Sequence, residues 1–453
     1  MNAADIRAER ACESKAGGTK LVIISMDAMI TEDLANLAQL PTFSAWLKNA
    51  ACVRSVRSIY PTLTYPCHTT MITGVYPNRH GVTSNEPFMP GRLPLPWNFY
   101  HDIVRCRDLF DICKANGLTT ASVGWPVTGN HPSVDWLVDE IWTVDREWTA
   151  ESMRETLLGA GTSEDVFDHA VAPHIALRVP RQQPESSFFN INVGCEILRR
   201  YRPDVLAIHT GNFDNYRHRE GVFGNLNLRA AKESDEMLHR IMEALAENGD
   251  ADTCNIVVTS DHGQMDCTRI AHPNVLLREH GFITIDDSGN VTDWKAWCLP
   301  MGMSVQVHLC DPSDDALKAQ IRGLFQRLCK EGTGGFSRMY TVEETAHEER
   351  LGGEDGNGFS FVLETDNHTK FASSWTGPYI RPVPVSPTSD RAGGHGYHPS
   401  KGPCPPFLGC GPAFRKGITL ETARLVDEAP TFAAILGLEM PDIDGKALRE
   451  LLA

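Results

Sequence analysis

Six side chains spread along the chain, Asp27, Asp214, His218, Asp261, His262 and His395, are of the types that hold divalent metal ions. A pair of Zn²⁺ ions about 4 Å apart needs roughly this many Asp and His ligands, one ion activating a nucleophile and the other stabilising charge on a phosphoryl group. Taken singly, each residue has an ordinary explanation. Asp27 ends an apolar run, where a turn residue is common. Asp214 and His218 are spaced to share a helical face or a tight loop, but chance pairs of this kind are frequent. Ser260-Asp261-His262-Gly263 is more specific, because two ligand types at a glycine-flexed strand end can reach one ion. In Gly393-Gly394-His395-Gly396-Tyr397 the glycines let backbone approach a ligand, or simply loosen a loop. The combination carries the metal reading.

A nucleophile for such a centre is offered by Thr64. The stretch from Tyr60 to Gly74 reads as a loop entering a helix, with Pro66 tolerated in the first turn and Gly74 near the end. Thr64 then stands at the helix N-terminus, where free N–H groups and the positive end of the dipole favour a phosphate and an alkoxide. A plain helix cap is the alternative. Tyr65 beside it is suited equally to stacking on a nucleobase and to core packing. Trp97, Trp125, Trp136, Trp142 and Trp148 fall in one segment. Core packing is the usual role of indoles; Trp125 is the one assigned to the substrate pocket.

The elements that must position these residues are legible as alternating strand and helix. Lys20–Ser25, Thr119–Val123, Asp204–Ile208 and Asn255–Thr259 are short apolar runs of the kind buried on both faces of a parallel sheet. Helical patterns intervene: one with Leu34, Leu37 and Leu40 on a face, one at Leu109, Ile112 and Cys113, and a long one marked by Leu228, Ala231, Met237, Ile241 and Leu245. The expected fold is therefore α/β, a mostly parallel central sheet with helices on both faces and ligands beyond the carboxyl ends of the strands. The pattern changes between residues 266 and 390, read as an inserted, smaller α+β cap. Residues 20–265 and 391–453 form the core, with a polar, flexible segment at 1–19.

The formal charge of −16 excludes a surface built for nucleic-acid polymers. A phosphate substrate must be met locally, by metal. No apolar run is long enough to span a membrane, and the polar start lacks a secretory pattern, so a cytoplasmic location is expected. The thirteen cysteines form no Cys-x-x-Cys pair and are read as reduced, Cys404 and Cys410 being the nearest candidates for a bridge. Nothing fixes an oligomeric state.

The quoted motifs, in this order, resemble the nucleotide pyrophosphatase/phosphodiesterase branch of the alkaline phosphatase superfamily. The stretches are Leu21–Asp27, Pro61–Pro66, Thr73–Gly81 on to Asn85, Asp214 to His218, Ser260–Gly263 and His395–Tyr397, and the similarity spans Leu21 to Leu448. The resemblance implies that Thr64 is the nucleophile on a zinc held by Asp27, Asp261 and His262. It implies a second zinc on Asp214, His218 and His395, with Mn²⁺ possible at either. Asn85, with the backbone N–H of Tyr65, would bind a phosphoryl oxygen. The implied enzyme hydrolyses phosphate esters of small, nucleotide-like substrates through a phospho-threonine. Cys67 stands where the family most often has asparagine, and His209 and Gly211–Phe213 differ from its usual acidic, proline-containing stretch. Phosphonate hydrolase, phosphomonoesterase and metal-dependent phosphomutase are the alternatives. Phosphonoacetate hydrolases carry lysines that are missing between Thr119 and His131, and a sulfatase motif is absent at Cys67-His68. A catalytically silent metal-binding protein would need a lost ligand, and none is lost.

Overall fold

The computed structural model describes residues 19–142, 148–352, 358–384 and 391–453. The segment expected to be flexible at the amino end thus lies, but for residue 19, outside the described residues. The central sheet has eight strands: β1 (Lys20–Met26), β2 (Ala51–Arg57), β3 (Thr120–Val123), β4 (Trp136–Val138), β5 (Val205–Thr210), β6 (Cys254–Thr259), β7 (Phe407–Cys410) and β8 (Thr419–Arg424). Their order is β8-β2-β7-β6-β1-β5-β3-β4. All neighbours are parallel except β7, which runs antiparallel to both β2 and β6.

Strand β1 shows why the sheet is buried on both faces. Its side chains alternate, so Val22, Ile24 and Met26 enter one apolar cluster and Leu21 and Ile23 the other. The first cluster is closed by α2 (Glu185–Tyr201) and α4 (Leu226–Glu247), and the second by α1 (Thr64–Thr73) and the helix Glu428–Ile435. Between α2 and α4 lies α3 (Asn212–Glu220). Two expectations shift, and one strand lies outside them. The Leu34–Leu40 pattern is not one helix, because Pro41 starts a new one at Pro41–Leu47 with Leu40 as its N-cap. Leu228 is 54% exposed although it stands in α4, whose buried face runs through Ala231, Met237, Ile241 and Leu245. Strand β2 escapes the sequence pattern because arginines and serines interrupt it.

The stretch between β6 and β7 contributes an antiparallel sheet in the order Ala296–Met301, Ser304–Leu309, Phe361–Thr365, Phe336–Thr341, with the helix Asp315–Glu331. Its apolar cluster is distinct from the two that flank the main sheet. A two-stranded ladder joins its root to the core: Ala392–Gly394 pairs antiparallel with Met265–Cys267. The described cysteines, Cys404 and Cys410 included, are free thiols.

Candidate metal centre and cleft

Three adjacent parallel strands deliver most of the centre. Strands β6, β1 and β5 lie side by side. Asp27 follows β1, Asp261 and His262 follow β6 by one residue, and α3, which carries Asp214 and His218, follows β5 after Gly211. Backbone bonds lock the two turns: Asp27 N donates to Thr210 O at 2.8 Å and Asp214 N donates to Asp27 O at 3.2 Å. His395 arrives by the small ladder, in which Gly394 faces Met265. The glycines around it serve backbone against backbone. Gly396 has φ +91°, and a Cβ there would meet Met301 O at 1.7 Å.

Two groups result, Asp27/Asp261/His262 and Asp214/His218/His395, with the ligand atoms in each within 4.8 Å of one another. Stacking of the His262 and His395 rings, 4.1 Å between centroids, brings the groups together. The donor chemistry fits metal ions. Nδ1 of His218, His262 and His395 faces the carbonyl oxygens of Gly393, Gly263 and Thr62 at 2.9, 3.2 and 3.1 Å. A carbonyl only accepts, so each Nδ1 carries the proton and each Nε2 lone pair is free to ligate. The carboxylates match. Asp261 Oδ1 accepts from Ala28 N (3.2 Å) and Asp27 Oδ2 faces His209 Nε2 (3.2 Å), while Asp27 Oδ1 and Asp261 Oδ2 are buried without a hydrogen-bond partner. Buried acceptors left this way are costly unless a cation meets them.

Charge at the centre is correspondingly strained. Burial first, and then the charges of Asp261, Asp214 and Glu140, push the Asp27 carboxyl well above its ordinary value. Burial also pushes Asp214 up, but His218 and His395 outweigh it and hold that carboxyl low. His262 and His395 are lowered to about 4 and about 3, mainly by burial, so both stay neutral, the form that binds metal.

A third group, His101, Asp108, Asp111 and His131, has metal-like proximity but the opposite tautomer. His131 Nδ1 accepts from Ser133 N at 3.0 Å, so its Nε2 bears the proton and donates to Asp108 Oδ2 at 2.8 Å. Asp108 also caps the helix Leu109–Ala115. Through Asp108 and His131 this network serves as the helix cap.

Thr64 is the first residue of α1, and its Oγ1 lies 3.3 Å from His262 Nε2. His68, one turn on, donates from Nδ1 to Thr64 O (2.8 Å) and accepts at Nε2 from Ser25 Oγ (2.8 Å), tying the first turn of α1 to β1. Asn85 Oδ1 accepts from Tyr65 N at 2.9 Å, which places Asn85 and that N–H together beside Thr64. Thr64 and Asn85 border a cleft of about 740 Å³.

Two pocket assignments need correction. Trp125 does not reach the cleft: it is fully buried, its ring edge against His68 and its Nε1 3.4 Å from His68 O. The Tyr65 ring is also fully buried, packed on Trp97 and Phe99. The indoles that line the cleft are Trp97 and Trp142, with the Arg181 guanidinium 5.3 and 5.9 Å from their centroids. Sequence reasoning also missed His209 as a partner of Asp27, Gln264, whose Nε2 donates to Asp214, and Glu140 in the cleft wall. The departure already visible at His209 was the one available signal.

The family profile for type I phosphodiesterase / nucleotide pyrophosphatase matches residues 21–398. Human bis(5'-adenosyl)-triphosphatase ENPP4 is 22% identical over 440 residues, covering 93% of this chain and 78% of that protein. Rat ectonucleotide pyrophosphatase/phosphodiesterase family member 3 is 23% identical over 269 residues, 58% of this chain and 27% of the relative. Among solved structures, mouse ectonucleotide pyrophosphatase/phosphodiesterase 5, in an inactive form complexed with AMP, superposes with a TM-score of 0.65 at 17% identity, covering 96% of this chain and all of that one. Relatives named as ectonucleotide enzymes overturn the expected cytoplasmic location. No helix among the described residues is long and apolar enough to cross a membrane.

Proposed function

The chain belongs to the type I phosphodiesterase/nucleotide pyrophosphatase family and is a hydrolase of phosphoric ester or phosphoanhydride bonds; from that premise we propose that it cleaves small nucleotide-like substrates through a covalent phospho-threonine at Thr64. The observation that carries the reading is the placement of Thr64 Oγ1 at a helix N-terminus, 3.3 Å from His262 Nε2 and beside two Asp/His groups whose free donor atoms converge.

Asp27, Asp261 and His262 would hold one Zn²⁺ next to Thr64, and Asp214, His218 and His395 the second, Mn²⁺ being the other cation these ligands suit. When bound, the ions lower the pKa of the attacking oxygen and neutralise charge on the phosphoryl group and the leaving oxygen. Thr64 Oγ, its proton passed to water in the cleft, attacks phosphorus, forming the Thr64–phosphorus bond as the bond to the leaving oxygen breaks, and the electron pair stays with that oxygen. Water then cleaves the phospho-threonine and restores the hydroxyl. Asn85 and the Tyr65 N–H receive a phosphoryl oxygen, which takes over the bond that Tyr65 N now donates to Asn85 Oδ1. Trp97 and Trp142 offer flat faces for a nucleobase. The AMP complex of the mouse relative supports a nucleotide-sized ligand.

The test is kcat/KM of zinc-loaded protein for p-nitrophenyl thymidine 5'-monophosphate beside p-nitrophenyl phosphate. Diester preference is expected, and Thr64→Ala should lower kcat on the order of 10³-fold or more. Monoester preference would move the enzyme to the phosphatases. Activity of Thr64→Ala equal to wild type would sink the covalent route.

A further inference from the structure

The family's description covers two bond types: diesters, whose leaving group carries no charge beyond the departing oxygen, and anhydrides, whose leaving group is a phosphate. Four basic side chains line the cleft of this chain, and they differ in what already occupies them. Arg178 is buried and donates to the carbonyls of Asp139 and Ile141 at 3.2 and 2.8 Å. Arg181 rests on two indoles. Arg219 is exposed to water. Lys370 is the exception.

Lys370 comes from the segment between β6 and β7, in the strand Thr369–Phe371 that pairs in parallel with Arg269–Ala271. Its neighbours Thr369 and Phe371 are buried, and Lys370 itself is only partly exposed, with Met301, Gly302 and Phe371 around it in the cleft wall. Its ammonium has no hydrogen-bond or ion-pair partner among the described residues. Burial lowers its pKa, with Cys267 and Asp214 opposing the shift. A half-buried ammonium without a partner is costly, and one that faces a cleft is the natural counterpart of an anion brought there by a ligand.

Its position decides which part of the substrate that is. In the mechanism proposed above, on which this step rests, the transferred group becomes attached to Thr64, on the Asp27/Asp261/His262 side. The leaving oxygen departs towards Asp214, His218 and His395. Phe371 N donates to Gly302 O at 2.7 Å, and a Cβ on Gly302 would meet His395 O at 2.2 Å, so the strand that carries Lys370 runs beside His395 and the departing half. We propose that Lys370 is a specificity-determining residue that binds a negative charge on the leaving group, so that the enzyme prefers nucleotide anhydrides, which release a phosphate-bearing product, over diesters whose leaving group carries no charge beyond the departing oxygen. The covalent step is unchanged: the Thr64–phosphorus bond forms, the anhydride bond breaks, and pyrophosphate leaves with the electron pair.

The experiment compares metal-loaded wild type, Lys370→Gln and Lys370→Arg on ATP, which releases pyrophosphate, and on p-nitrophenyl thymidine 5'-monophosphate. The readout is the ratio of the two kcat/KM values, which cancels any general loss of fold or metal. Lys370→Gln should lower the ATP to nitrophenyl ratio about 10- to 100-fold, the range of a hydrogen bond to a charged group, and Lys370→Arg should restore most of it. In the Thr64→Ala background, calorimetry should show Lys370→Gln weakening inorganic pyrophosphate more than inorganic phosphate. An unchanged ratio in Lys370→Gln, with wild type active on both substrates, overturns the assignment of Lys370 alone. Wild type inactive on both overturns the phosphodiesterase reading and this inference with it.

Discussion

His80 belongs to a segment that carries the family resemblance, Thr73 to Gly81, yet its work is structural. It is fully buried; Nδ1 accepts from Val82 N at 3.1 Å, so Nε2 donates to Thr70 Oγ1 at 3.0 Å, joining α1 to the turn after it. Burial lowers its pKa from 6.5 to about 3. The folded state therefore refuses a proton that the unfolded chain accepts. The associated stability is complete above about pH 6.5 and is lost as pH falls from there towards 3, with a slope of at most about 1.4 kcal/mol per pH unit from this one group. Denaturant midpoints between pH 4 and 7 should show a shallower acid limb in His80→Asn than in wild type; identical limbs would refute this account. The candidate ligands were legible for a different reason: Asp27, Asp261 and His262 fall just after apolar runs long enough to read as buried strands. His209 was legible only as a departure. Its contact with Asp27 spans 182 residues and follows from the pairing of β1 with β5, which no local pattern states.

Helix α3 shows how an element holds ligands in place. Arg217, between Asp214 and His218 in sequence, points away from the cleft chemistry and is fully buried. Its guanidinium donates to both oxygens of Asp33 at 2.7 and 2.8 Å, to Val222 O at 3.1 Å and to Ala28 O. The helix is thereby fastened to the turn that follows Asp27. Removing one partner of such a pair leaves a buried charge, so Arg217→Ala should cost about 3–5 kcal/mol. It should also release metal from His218 and Asp214 first, measurable as a fall in tightly bound metal per chain before any loss of helix. The repetition of strand and helix was readable because β1, β5 and β6 are unbroken apolar runs. Strand β2, with its arginines, and the tight turn that splits the Leu34–Leu40 pattern at Pro41 were not, because there tertiary pairing and one proline outweigh periodicity.

At the scale of the whole molecule, the centre joins distant parts of the chain. Cations held there would stabilise the folded form by mass action, by about 4 kcal/mol at a free metal concentration a thousandfold above Kd. Chelation should accordingly lower Tm, and restoring Zn²⁺ should recover it; a Tm indifferent to chelator would show that the two Asp/His groups do not hold metal in solution. The topology has a further consequence for how the protein comes into being. Strand β7 separates β2 from β6, and β8 flanks β2, so a gap inside the sheet is filled by residues made after both of the strands that border it. A ribosome releases β1, β2, β5 and β6 well before the strand that must lie between two of them, and His395 emerges only shortly ahead of it. Until then β2 and β6 have edges without their partner, the kind of surface that invites mispairing in a nascent chain. Completion of the sheet and completion of the second Asp/His group are thus nearly simultaneous events in biosynthesis, so the centre cannot assemble before the sheet that carries it is whole.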